Sequence, residues 1–98
     1  MSNKQFTKLM KEHQEKLVMF VPIVARVHGP THPEFNDVKI EFDLIMKKYK
    51  KGEQAIAAHF MALREITNNY EVPHDVCETY AAVYEMLAEL DQALQVEG

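Results

Sequence analysis

The chain is poor in the residues that mark many common functions. Its 98 residues hold one cysteine, Cys77. That excludes an internal disulfide and any cysteine-built zinc or iron-sulfur cage, and it suits a reducing compartment. There is no excess of positive charge. The net charge is -4 and the pI about 5.7, so no basic face is available to neutralise a row of phosphates, and neither nucleic acid nor an anionic membrane is an expected partner. No apolar run approaches the ~18 residues of a membrane span, and the opening MSNKQFTKLMKEHQEK lacks the apolar core of a signal peptide, which predicts a cytoplasmic protein. A Gly-rich phosphate loop, G-x-S-x-G, H-E-x-x-H and a cysteine-histidine pair close in sequence are all missing. No catalytic residue can be named from the sequence.

What is present is helical periodicity, in a chain whose 47% hydrophobic content supports one small core and a single domain over residues 1–98. Phe6, Met10, His13, Leu17, Phe20, Val24 and Val27 recur at three and four residues, predicting a first helix from about Asn3 to His28. Ser2 and Gln5 match a capping box at its start, Pro22 predicts a kink within it, and Gly29 with Pro30 end it. Thr31 and Glu34 repeat the capping pattern, with Pro33 placed in the first turn of the next helix. The stripe Phe35, Val38, Phe42, Ile45, Tyr49 then stays in phase with Ile56, His59, Leu63, Ile66, Tyr70. That phase favours one continuous helix from about His32 to Asn69. Gly52, preceded by lysines, offers the alternative of a stop and a fourth helix. After the turn Asn68, Asn69, Pro73, a final stripe runs through Val76, Tyr80, Val83, Leu87, Leu90 and Leu94, with Asp75 and Glu78 in its first turn. The fold class is all-α, an antiparallel bundle of three or four helices.

Histidines are the residues to weigh, since imidazoles and carboxylates on facing helices build metal sites in bundles. His13 and His28 lie fifteen residues apart on one helix, ~22 Å, and cannot share an ion. His59 falls on an inner stripe and reads as a hydrogen-bonded core residue, while His74 reads as solvated. The Gly-Pro break keeps His28 and His32 from forming the same-face pair of an unbroken helix, which points to loop and capping roles. Cys77, beside Val76, reads as a small packing residue with nothing near to activate it. The run KKYKK reads as a solvated helix face.

Two segments, VARVHGPTHPEF and ALREITNNYEVPHDVCETYAAVYEMLAEL, resemble the iron-sulfur cluster repair family, the hemerythrin-like RIC proteins. The resemblance rests on V-x-x-V-H-G followed by H-P-E, and on L-R-E-I-T-N-N-Y followed by P-x-x-x-C-x-T-Y. It implies a four-helix bundle in which histidines and carboxylates hold a non-haem di-iron centre, in proteins linked to clusters damaged by oxidative or nitrosative stress. Residue by residue, the V-H-G histidine corresponds to His28, and the E-H-D histidine falls on Glu53. The first-helix histidine falls near Phe6 and Thr7. The segment H-M-x-K-E-E has no counterpart, and the closing H-x-x-x-E pair would begin near Glu97.

These correspondences leave His28 and Glu53 as the metal candidates and imply a shortened relative with an incomplete di-iron site. Two readings follow: a stress-linked or iron-linked protein that takes up iron weakly, and a metal-free helical interaction or dimerisation module. A homodimer is expected, formed by exchange of halves of the long helix, with a full-length relative or an iron-sulfur protein as further partners.

Overall fold

The computed structural model describes residues 4–52 and 55–97. Four helices follow in order: α1 Lys4–His28, α2 Glu34–Lys50, α3 Ala57–Thr67 and α4 Glu78–Glu97. Among the described residues there is no strand, and no helix is long and apolar enough to cross a membrane. Contacts between helices fix their directions. His13 meets Glu89 and His28 meets Cys77, so α4 runs antiparallel to α1; Glu41 meets His59 and Lys48 meets Ala55, so α3 runs antiparallel to α2. Phe6, at the start of α1, lies edge-on to Tyr49 at the end of α2. The result is an up-down-up-down bundle with α1 packed chiefly on α4 and α2 on α3.

The apolar stripes converge on one core. Phe6, Met10, Leu17, Val21 and Val24 of α1 meet Phe35, Val38, Phe42 and Ile45 of α2, Phe60 and Leu63 of α3, and Tyr80, Val83, Tyr84, Leu87 and Leu90 of α4. Val27, read as part of the first stripe, is instead exposed. Ile66 is only partly buried.

The continuous helix expected from His32 to Asn69 does not form. α2 ends at Lys50, and Gly52 stands at φ +75°, where the amide of Gly52 donates to the Tyr49 carbonyl at 3.0 Å. A glycine in the left-handed region closes a helix at little steric cost, and this local preference outweighs the phase of the apolar stripe. The exchange of long-helix halves loses its structural basis with it. Ser2 and Glu53 lie outside the described residues. Thr31 and Glu34 do not form a capping box: α2 has Pro33 as N-cap with no side-chain hydrogen bond, the Thr31 hydroxyl donates back to the His28 carbonyl, and the Glu34 carboxylate is taken by His32. Asp75 sits before α4, not in its first turn.

Gly29 is required for a different reason from Gly52. It is buried where the end of α1 meets α2, and a Cβ there would lie against the Ala25 carbonyl oxygen and 2.8 Å from Asn36 Oδ1. No side chain fits.

Candidate functional site

One end of the bundle gathers most of the polar chemistry. There α1 ends at His28, the turn to α2 carries His32, and the segment after α3 brings Asp75 and Cys77 to the start of α4. His28 Nε2 lies 3.3 Å from Cys77 Sγ, and its ring stands edge-on to Tyr80 with centroids 5.3 Å apart. His32 stands against the same Tyr80 ring at 5.7 Å. Both histidines thus contact one aromatic ring despite the Gly-Pro break, because the tight turn folds His32 back; the His32 amide donates to the His28 carbonyl at 2.7 Å.

His32 is bracketed by two carboxylates, Glu34 on Nδ1 at 3.0 Å and Asp75 on Nε2 at 3.0 Å. Only the imidazolium can donate from both nitrogens at once. The hydrogen bond to Glu34 therefore raises the imidazole above its ordinary range; partial burial opposes the shift, and Asp75 adds to it. Beneath the histidines, Tyr80 and Tyr84 are fully buried with their hydroxyls 3.1 Å apart, and Phe35 packs on both rings. Burial raises both phenols above their usual range, so each keeps its proton, and one hydroxyl donates to the other.

Cys77 differs from its expected role as a packing residue. It is exposed, and an imidazole adjoins its sulfur. Sequence spacing hides this pair, since 49 residues separate its members. The other histidines are tied up singly: His13 to Glu89 at 2.8 Å and His59, hydrogen-bonded as expected but only partly buried at the edge of the core, to Glu41 at 2.7 Å. His74 is exposed, as expected.

A di-iron centre needs several histidines and carboxylates converging on one point. Among the described residues, no group of three or more His, Cys, Asp or Glu side chains is placed to hold a metal ion. His28 adjoins a thiol and an aromatic ring, and Glu53 lies outside the described residues. At the level of Phe6, the interior is filled by rings, Phe6 meeting Tyr49 and Phe60 edge-on. The described residues do not fit a di-iron group.

A second polar cluster went unread in the sequence. Asp91 is 2% exposed, yet its carboxylate accepts hydrogen bonds from Arg64 Nη1 at 2.6 and 2.8 Å, from the Tyr70 hydroxyl at 2.8 Å and from Gln95 at 3.1 Å. Burial and the bond to Asp91 raise the Tyr70 phenol. This cluster explains the segment LREITNNY. Arg64 and Tyr70 reach Asp91, while Asn68, Asn69 and Tyr70 each take positive φ, 54°, 61° and 63°, in the turn that leaves α3. The Thr67 hydroxyl donates to the Leu63 carbonyl and accepts from the Tyr70 amide, both at 2.7 Å, and the Asn69 amide closes on the Arg64 carbonyl. The motif builds a turn and an anchor.

No family model matches the chain, and no solved structure matches it. The iron-sulfur cluster repair protein ScdA of Staphylococcus haemolyticus (strain JCSC1435) is 25% identical to it over 123 residues, a match that takes in 90% of this chain. The matched stretch is longer than the chain itself, so that relative carries residues within it that have no counterpart here. The chain spans about 55% of the relative's length. It is distantly similar to an iron-sulfur cluster repair protein.

Proposed function

We propose that this chain is a hemerythrin-like module, a single domain over residues 1–98, of iron-sulfur cluster repair ancestry, acting in the cytoplasm in an iron-linked or stress-linked setting without a complete di-iron centre of its own. The similarity to ScdA supports the setting. One observation carries the mechanism: the only candidate ligand that can be traced, His28, adjoins Cys77 and Tyr80, and no carboxylate pairs with it among the described contacts. A lone imidazole, in part open to water, holds ferrous iron weakly, since ordinary sites collect and orient ligands from several helices. The helices themselves are then the working part, a rigid bundle that meets another protein.

Iron content of the protein purified from cells without chelator tests this. The expected ratio is well under one iron per chain, with no further loss in His28→Ala. A ratio near two that falls on the same substitution would mean that the chain is a di-iron repair factor.

A further inference from the structure

The seam between α1 and α4 carries more exposed apolar surface than its place in the bundle explains. Met19, Ile23 and Val27 follow at four-residue steps, so they share one face of α1, and they are 58%, 40% and 59% exposed. At the other end of the same helix pair lies a concave groove of about 730 Å³, lined by Leu9 of α1 and by Ala88, Glu89, Ala93 and Val96 of α4 among others. One half of the seam projects apolar side chains. The other half is hollow and apolar.

The charges divide in the same way. α4 contains no lysine or arginine, and its exposed Glu78, Glu85 and Glu89, at steps of seven and four, form an acidic ridge. Its position is fixed by His13 of α1, which meets Glu89. α1 carries exposed Lys4, Lys8, Lys11, Lys16 and Arg26 against Glu12 and Glu15.

We infer that this face binds a second copy of the same chain about a twofold axis, with α1 of each lying antiparallel to α1 and parallel to α4 of the other. Leu9 and Ile23 are fourteen positions apart, about 21 Å at ~1.5 Å per residue. A twofold axis midway, at the level of Lys16, sets Met19, Ile23 and Val27 of one chain into the groove of the other, and the reverse contact follows by symmetry. The same operation brings Lys16 of each chain to the acidic ridge of its partner, near Glu85. The paired helices present a face of roughly 30 by 20 Å, comparable with the ~800 Å² per partner of a stable association. The fit needs no exchange of elements.

Sedimentation equilibrium at tens of micromolar tests the assembly, with circular dichroism to verify that each variant keeps its helicity. The wild type should have twice the 11.4 kDa chain mass. Ile23→Glu should sediment as a monomer, and Ile40→Glu, on the outer face of α2, should remain a dimer. Lys16→Glu and Glu85→Lys should each weaken self-association about tenfold or more. Mixing those two variants should restore the dimer, because every contact across the axis then joins opposite charges. A wild-type mass of 11.4 kDa overturns the inference. So does a dimer that survives Ile23→Glu, or one broken by Ile40→Glu. Failure of the mixed pair to recover would overturn the stated orientation.

Discussion

His32 is the residue whose surroundings make the clearest demand on pH. Its imidazole is raised by Glu34 and Asp75, so the folded protein binds this proton more tightly than the unfolded chain does. The stabilisation is fully present below the unfolded value near 6.5 and fades as pH rises through the higher folded value. Wild type should therefore exceed His32→Asn in melting temperature at pH 6, with the difference shrinking by pH 8.5. An equal difference at both pH values would show that the bracket works without the proton. Asp91 poses the opposite case, a buried carboxylate whose removal leaves Arg64 and Tyr70 facing each other without an acceptor. Asp91→Ala should cost about 3 kcal/mol or more in urea unfolding. A loss under 1 kcal/mol would mean that the cluster relaxes into water. Neither role was legible in the sequence. Of the two partners of His32, Glu34 is two residues away but Asp75 comes from a segment 43 residues away, and Asp91 stands next to Leu90 in what reads as an ordinary stripe. Hydrogen bonds between distant segments leave no periodic trace.

At the scale of the helices, periodicity located α1 and α4 closely and failed where one glycine decides. The stripes of α2 and α3 are truly in phase, but phase describes which faces are buried and not whether the chain turns back between them. Gly52 and Gly29 separate two kinds of requirement. At Gly52 a Cβ meets nothing within 4 Å, so Gly52→Ala should cost only the left-handed conformation, about 1–2 kcal/mol. At Gly29 a Cβ collides with backbone, so Gly29→Ala must shift the α1 to α2 joint and should be the more damaging substitution. The reverse order in thermal unfolding would contradict the account of that joint. Packing supplies a third check: Leu87, 1% exposed in the centre of α4, should cost ~2 to 5 kcal/mol as Leu87→Ala.

For the whole molecule, the all-α bundle was readable because four amphipathic stripes have few other ways to bury their faces. The candidate site was readable only in part. His28 could be traced through V-H-G, whereas its neighbours Cys77 and Tyr80 appear only once the chain has folded three helices around them. The segment LREITNNY serves the turn after α3 and the Asp91 anchor, so likeness in that segment speaks for architecture before chemistry. The proposal at stake is that this four-helix bundle does not assemble a di-iron centre from its own side chains. Anaerobic loading with excess ferrous iron, followed by desalting, exposure to air and absorption spectroscopy, tests it most directly. The account predicts less than one retained iron per chain and no oxo-bridged di-iron band. Two retained irons with that band, lost together in His28→Ala, would contradict it.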